Sequence, residues 1–277
     1  MAAIEVRDLA KSYGELRAVD GVGFSVSDGE FFGILGPNGA GKTTTLEMVE
    51  GLREPDAGSV TVLGESPWPR NRTLLPRIGV QLQASSFFER LTAREQLHTF
   101  AALYDVSAAE ADAWLDRVGM VDKADTRVEQ LSGGQLQRLS IACALVHDPE
   151  VVFLDEPTAS LDPQARRNLW DLLSGLNDSG RTVVLTTHYL DEAETLCDRV
   201  AIMDHGRVLQ LDTPAALIAG LAAPTRITTA DGEVVETTDP ATALTRLAEQ
   251  RRLDGVSVRT ATLEDVFLDL TGREYRA

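Results

Sequence analysis

The stretch GPNGAGKTT, from Gly36 to Thr44, constrains this chain more than any other feature. It matches the phosphate-binding loop pattern G-x-x-x-x-G-K-[S/T], in which glycines let backbone N–H groups turn inward toward an anion. In this pattern Lys42 places its charge on the β- and γ-phosphates, and the hydroxyl of Thr43 is a ligand for Mg²⁺. A glycine-rich turn without a ligand is the alternative, but a strand-like run before the loop and a helix-like run after it supply the context that the pattern requires. The stretch predicts a nucleotide site made by Gly36, Pro37, Asn38, Gly39, Ala40, Gly41, Lys42, Thr43 and Thr44.

Bulk properties narrow the class of protein. The chain has 277 residues and 43% hydrophobic content, enough for a full core, and no apolar run approaches the roughly 20 residues that a membrane helix needs. Charges near the N-terminus argue against a signal peptide, and a net charge of −17 argues against nucleic acid as a partner. Cys143 and Cys197 are expected to be reduced thiols. We therefore expect a cytoplasmic protein, held at a membrane only through a partner.

The order of apolar and turn segments predicts two domains. Strand-like segments dominate the first third, a helical pattern covers about 91–146, and strands then alternate with helices, which indicates a parallel sheet covered by helices. After Gly220 the pattern changes to a hairpin at Asp231-Gly232 and helices after Asp239 and Thr262. The predicted domains are 1–220, with a helical subdomain at about 91–146, and an accessory domain at 221–277.

The second motif, Leu131–Gln135, reads LSGGQ. Ser132 and Gln135 have the spacing of a capping box, which is a sufficient structural explanation for both residues. Gly133 and Gly134 would leave backbone N–H groups bare at the start of a helix, which favours an anion. The motif alone leaves open whether it is only a cap or also part of a ligand site.

The third motif is an apolar run, Val151–Leu154, that ends in Asp155 and Glu156. A carboxylate at this place suits Mg²⁺, which prefers one or two carboxylates together with water and phosphate oxygens. Glu156 suits the general base that activates the attacking water. Two exposed acids at the end of a strand are the alternative for this segment read by itself.

Taken in this order, the motifs of Ile4–Leu211 resemble those of the ATP-binding subunit of an ABC transporter. The resemblance implies an α/β P-loop NTPase (ABC ATPase) core with an antiparallel β subdomain and a helical subdomain, followed by a small α+β C-terminal extension. It implies ATP and Mg²⁺ as ligands. By resemblance the functional residues are an adenine-stacking Tyr13, the Walker A loop Gly36–Thr44, a catalytic and metal-binding Gln83, the signature residues Ser132, Gly133, Gly134 and Gln135, the metal-binding Asp155 and Thr43, the base Glu156, the D-loop Asp162 and the switch histidine His188.

Several of these assignments have structural alternatives. Tyr13 could be a packed aromatic, Gln83 an ordinary polar residue at a strand end, and Asp162 merely the N-cap of a helix that begins with Pro163. Ser160 departs from the glycine that many relatives have before Leu-Asp, and its small side chain is expected to be tolerated.

Two further segments indicate the kind of ABC protein. Leu263–Gly272 and Thr187–Glu194 resemble the corresponding segments of ABC-2-type exporters, which include daunorubicin-resistance and lipid-exporting ATPases. We therefore expect an ATPase that powers efflux of a drug, antibiotic or lipid, with a second ATPase subunit, in a homodimer, and a separate ABC-2-type membrane permease as partners. The runner-up is a soluble ABC-type ATPase of repair or translation. The segment between Thr44 and Leu131 disfavours repair ATPases, since it lacks the long heptad-patterned insertion of that class.

Phe87 and Phe88 follow Gln83 in a short loop. Two adjacent aromatics on a regular strand would point to opposite faces, so one is expected to be exposed and to contact the permease. An irregular loop that buries both rings is the alternative.

Overall fold

The structure is a computed structural model that describes residues 2–81, 87–159, 161–221 and 223–272. Contacts within the chain divide it into two compact units, Met1–Leu211 and Asp212–Ala277. The strands within the described residues are β1 (Ala2–Tyr13), β2 (Leu16–Ser27), β3 (Phe31–Leu35), β4 (Ala57–Val62), β5 (Ile78–Gln81), β6 (Val151–Asp155), β7 (Thr182–Thr187), β8 (Arg199–Asp204), β9 (Arg207–Asp212), β10 (Thr225–Thr228), β11 (Val234–Thr237) and β12 (Ser257–Arg259). The helices are α1 (Lys42–Val49), α2 (Ala93–Ala102), α3 (Ala108–Arg117), α4 (Gly133–Leu145), α5 (Pro163–Asp178), α6 (Leu190–Leu196), α7 (Pro214–Gly220), α8 (Pro240–Glu249) and α9 (Leu263–Thr271).

A six-stranded sheet in the order β5-β6-β7-β3-β8-β9 is the centre of the first unit. The pairs β5–β6, β6–β7, β7–β3 and β3–β8 are parallel. Every residue of β3, β6 and β7 is buried, which explains why these strands are apolar runs rather than alternating patterns. Because parallel strands end at one edge of a sheet, the segments after β3, β6 and β7 meet there. The predicted α/β P-loop core is confirmed.

A second, antiparallel sheet has the order β2-β1-β4. Its apolar face shares one core with the central sheet, and the rings of Phe24 and Phe32 stack at 5.1 Å between centroids. β1 and β2 are longer than their apolar segments indicate, because their polar ends still pair, as Ser12 does with Arg17. Sequence hydropathy marks the buried part of such strands but not their full length.

The helical region contains α2, α3 and α4. Capping boxes begin all three helices, at Thr92, Ser107 and Ser132, as their sequence spacing predicts. Gly119 has φ +63° just after the last turn of α3, a conformation that favours glycine and ends the helix. Short-range sequence signals therefore fix the ends of these helices.

The second unit contains the sheet β11-β10-β12 with α7, α8 and α9. The hairpin at Asp231-Gly232 and the helices after Asp239 and Thr262 occur where the sequence predicts them. The unit begins at Asp212, before α7, whereas the sequence places the boundary after residue 220. The physical reason is that α7 packs against α9 within this unit. Among the helices of the described residues, none combines the length and apolar character that a bilayer crossing needs.

Candidate active site

The loop between β3 and α1 packs so closely against neighbouring backbone that only glycine fits at two positions. A Cβ atom at Gly36 would collide with the carbonyl oxygen of Met203, and one at Gly41 with that of Ala18. Gly41 also has φ +99°. As the N-cap of α1 it supplies no side-chain acceptor, so the first N–H groups of the helix have no side-chain cap. This is the arrangement that accepts an anion at a helix N-terminus.

Lys42 lies inside this loop with only 4% of its surface exposed. Its Nζ donates to the carbonyl oxygens of Gly36, at 2.8 Å, and Pro37, at 3.3 Å, and lies 3.4 Å from Oε1 of Glu156. Burial lowers the pKa of Lys42, and the nearby carboxylates of Glu156 and Asp155 oppose that shift. The ammonium is thus held by groups that an arriving phosphate can replace.

Asp155 ends β6 and is 3% exposed. The hydroxyl of Thr43 donates to its Oδ1 at 3.3 Å, and the hydroxyl of Thr186 donates to the same atom. Burial raises the pKa of Asp155, while both hydroxyls and the charge of Lys42 oppose the shift. Thr186 is absent from the residues proposed from sequence, although a threonine at the end of a buried strand beside β6 was the available signal.

The convergence of Thr43 and Asp155 tests whether Mg²⁺ fits. Within the described ranges, no group of three or more His, Cys, Asp or Glu side chains could hold a metal unaided. A hydroxyl and one carboxylate at the mouth of a phosphate loop are the donors that Mg²⁺ uses together with phosphate oxygens and water. The residues present fit a magnesium ion that arrives with a nucleotide.

Glu156 has an unusual backbone conformation, with φ +48°. Its N–H donates to the carbonyl oxygen of Thr186 at 3.2 Å and to the hydroxyl of Thr186 at 3.1 Å, which holds it there. Its Oε2 lies 3.1 Å from Nδ1 of His188, and this ring nitrogen makes no hydrogen bond. A non-glycine residue in the left-handed region stores strain, which concentrates at functional sites.

A cleft of about 450 Å³ lies over the loop, within the size range of small-molecule sites. Tyr13 lines it with 43% of its surface exposed, and the guanidinium of Arg53 covers one face of the ring at 5.4 Å. The ring is thus available at the rim, where the resemblance places the adenine. The lining residues are Tyr13, Leu16, Ala18, Asn38, Gly39, Gly41, Lys42, Thr43, Thr44 and Glu156.

The other sequence-derived site residues lie outside this cleft. Ser132 Oγ accepts from Gln135 N at 3.3 Å, and Ser132 N donates to Gln135 Oε1 at 2.9 Å, so the LSGGQ segment caps α4 with Ser132 and Gly133 exposed. Asp162 caps α5 by accepting from the N–H groups of the next turn. Gln83 and Ser160 are outside the described residues. One chain therefore brings together the loop, Tyr13, Asp155, Glu156 and His188, but not the LSGGQ segment.

Comparisons with known proteins agree with this geometry. The ABC transporter family model matches residues 19–159. The chain is 42% identical to Nod factor export ATP-binding protein I of Paraburkholderia xenovorans (strain LB400), over 99% of this chain and 98% of that protein. It is 39% identical to the protein of the same name in Sinorhizobium fredii (strain NBRC 101917 / NGR234), over 99% of this chain and 87% of that protein.

Solved structures of ATP-binding cassettes are similar as well. One is an ATP-binding subunit of an ABC transporter, with a TM-score of 0.72 and 29% identity over 79% of this chain and 92% of that chain. Another is the dimeric post-hydrolysis state of the cassette MJ0796 bound to ADP and Pi, with a TM-score of 0.70 and 28% identity over 76% of this chain and 98% of that chain.

Proposed function

Because the chain belongs to the ABC transporter family as an exporter-type ATP-binding subunit and ATPase, we propose that it powers an ABC-2-type exporter through a separate membrane permease. The convergence of Lys42, Asp155 and Glu156 at the phosphate loop, beside a cleft that Lys42 and Glu156 line, is the observation that carries the proposal. Export is further supported by the relatives named for Nod factor export. The cargo, selected by the permease, is a drug, an antibiotic or a lipid. The subunit then lies on the inner face of the membrane through the permease.

The roles of the site residues follow from their positions. Tyr13 stacks on the adenine, and the loop N–H groups with Lys42 hold the phosphates. Asp155 and Thr43, with Gln83 as in the resemblance, would hold Mg²⁺, which neutralises phosphate charge when bound. These assignments divide the nucleotide contacts among the adenine, the phosphates and the metal ion.

Glu156 is the general base in this proposal. Its Oε1 lies 3.4 Å from the ammonium of Lys42 and its Oε2 lies 3.1 Å from the ring of His188, which places the carboxylate beside the point where a γ-phosphate would meet Lys42. From there it takes a proton from the attacking water. His188 holds the carboxylate in position on its far side.

The catalytic unit is a head-to-tail pair of cassettes. Ser132, Gly133, Gly134 and Gln135 are outside the cleft of their own chain, and the start of α4 is exposed. In a pair they would cover the phosphates bound to the partner, and Asp162 would lie at the same junction. The dimeric form of a related cassette supports this assembly.

Phe88 is the proposed permease contact. Its ring is 63% exposed, while Phe87 is half-buried. The N–H of Phe88 donates to Oε1 of the buried Gln96 at 3.1 Å, so the backbone is anchored although the ring is free. In this proposal the ring lines a groove that receives a helix of the permease. Gln83 transmits the nucleotide state of the site to that contact.

The test is ATP-driven transport with the assembled complex. The tagged chain is expressed with and without the candidate ABC-2-type permease, and inverted membrane vesicles are assayed for cargo uptake. We expect the chain to sediment with membranes only when the permease is present, and uptake to require ATP.

Glu156→Gln is the matched control, which should sediment equally but transport nothing. Full ATPase activity together with no permease-dependent sedimentation would favour the soluble ATPase instead.

A further inference from the structure

Glu192, on α6, is a fully buried glutamate that the roles assigned above do not use. The indole Nε1 of Trp170, on α5, donates to its Oε1 at 3.1 Å. Its Oε2 is also buried and has no hydrogen-bond partner. Burying a carboxylate is costly unless its neighbours compensate, so the groups around it indicate what it does.

Two threonines face this carboxylate. Burial raises the pKa of Glu192, and the hydroxyls of Thr187 and Thr158, the indole of Trp170 and the charge of Arg166 oppose the shift in that order. The Oγ1 of Thr158 is buried and makes no hydrogen bond. Oγ1 of Thr158 and Oε2 of Glu192 are thus two buried polar oxygens, a potential donor and an acceptor, that each lack a hydrogen bond, an arrangement that a small movement would improve.

Both threonines belong to segments that carry proposed catalytic groups. Thr187 precedes His188, and its carbonyl oxygen accepts from the N–H of Gly36 at 3.4 Å, where the phosphate loop begins. Thr158 lies in the turn after β6, in which Ala159 N donates to Glu156 O at 3.3 Å. Glu192 is therefore placed between the segment that leads to His188 and the turn that follows Glu156.

We propose that Glu192 is a positioning residue of the hydrolysis site, whose carboxylate sets the spacing between the turn after β6 and the end of β7. The inference rests on the proposed roles of Glu156 and His188. Glu192 does not touch the nucleotide. When the hydroxyls of Thr158 and Thr187 both donate to it, Glu156 and His188 are held together, and the arrangement with both bonds made is the one competent for hydrolysis.

The first test is Glu192→Gln, which keeps the size of the side chain but removes its charge and one acceptor. We expect kcat for ATP hydrolysis to fall about tenfold or more, with the Kd for ATP unchanged to within about twofold. Trp170→Phe is the control, since it removes a hydrogen bond to the same carboxylate but leaves both threonines. It should lower the melting temperature while kcat stays within about threefold.

A second pair of variants keeps the inference testable if Glu192→Gln does not fold. Thr158→Val removes the hydroxyl at nearly constant volume and should reproduce the loss of kcat, whereas Thr158→Ser keeps the hydroxyl and should retain most of the rate. Normal kcat in either folded Glu192→Gln or Thr158→Val, at lowered melting temperature, would make Glu192 a packing residue and overturn the inference.

Glu156→Gln is measured in parallel, so that a failure of the proposed ATPase site can be distinguished from a failure of the positioning role of Glu192. If Glu156→Gln retains turnover, the proposed function of the site fails. If Glu156→Gln loses turnover while Glu192→Gln and Thr158→Val do not, only the positioning role is overturned.

Discussion

Two helices of this chain begin with glycine-rich segments, and they are built in opposite ways. At α1 the N-cap is Gly41, no side chain caps the helix, and Lys42 lies buried beside it. At α4 the N-cap is Ser132, whose hydroxyl and N–H are both paired with Gln135, and Ser132 and Gly133 are exposed. The start of α1 leaves its backbone N–H groups free for a ligand in the cleft of the same chain. The start of α4 is capped by its own side chains and is stable without a ligand.

The difference shows what a single chain can do alone. The α1 start combines uncapped N–H groups with the Lys42 ammonium, the groups that attract a polyphosphate in the function proposed above. The α4 start has no charged residue in LSGGQ and cannot hold an anion with comparable strength. We therefore expect changes near α1 to affect binding and chemistry in each chain, and changes at α4 to matter only within a pair.

The largest effect should come from Glu156→Gln. Loss of the general base should reduce ATP turnover by about 10²–10⁴-fold, while ATP binding is retained and the ATP-bound pair accumulates on size exclusion. Glu150→Gln is the matched control, because Glu150 lies just before the opposite end of β6, pairs with Arg77 and has a half-exposed side chain. Turnover close to normal in Glu156→Gln would show that Glu156 is not the general base.

Lys42→Ala should weaken ATP binding by roughly 10- to 100-fold, the range for loss of a hydrogen-bonded charge, and should remove hydrolysis. The measurement is nucleotide affinity by titration calorimetry. Lys123→Ala, at an exposed position in the helical region, should bind like the parent. Equal affinities for both variants would mean that the α1 start is not the phosphate site.

Ser132→Ala tests the α4 start with a smaller change. Loss of the cap should cost about 1 kcal/mol of stability, so the chain should fold and bind ATP. Its own turnover should be low, but mixing it with Lys42→Ala should restore activity, since one composite site then has both halves intact. Heterodimers that form but hydrolyse no faster than either variant would contradict the head-to-tail pair.

The smallest effect on the isolated chain should come from Phe88→Ser. An exposed ring can be removed with a stability change within about 0.5 kcal/mol, and ATPase activity should not change. Recovery with the permease in a pull-down should be lost. Phe87→Ser is the comparison variant, because its half-buried ring should contribute more to stability. Normal recovery of Phe88→Ser would place the permease contact elsewhere.

The positions of the loop, Asp155, Glu156 and His188 could be predicted from sequence, because each follows a buried apolar strand and parallel strands end at one edge. The capping boxes could be predicted because they depend on residues three apart. Thr186 was not proposed, although its place at the end of a buried strand was a signal, because its contacts with Asp155 and Glu156 join segments distant in the chain. Glu192 could not be predicted, since its residue type is ordinary at that place in a helix. The start of the second unit differs from the predicted boundary, because only the packing of α7 against α9 assigns α7 to this unit.

The left-handed backbone of Glu156 has a consequence for attempts to make this protein more robust. Glycine is the residue that relieves a φ of +48°, so Glu156→Gly should raise the melting temperature of the chain while abolishing hydrolysis. A screen that selects only for heat resistance would therefore favour loss of the enzyme at this position. The strain at Glu156 thus lowers stability at a position where activity needs the glutamate. Engineering of this chain therefore has to measure both thermal stability and ATPase activity.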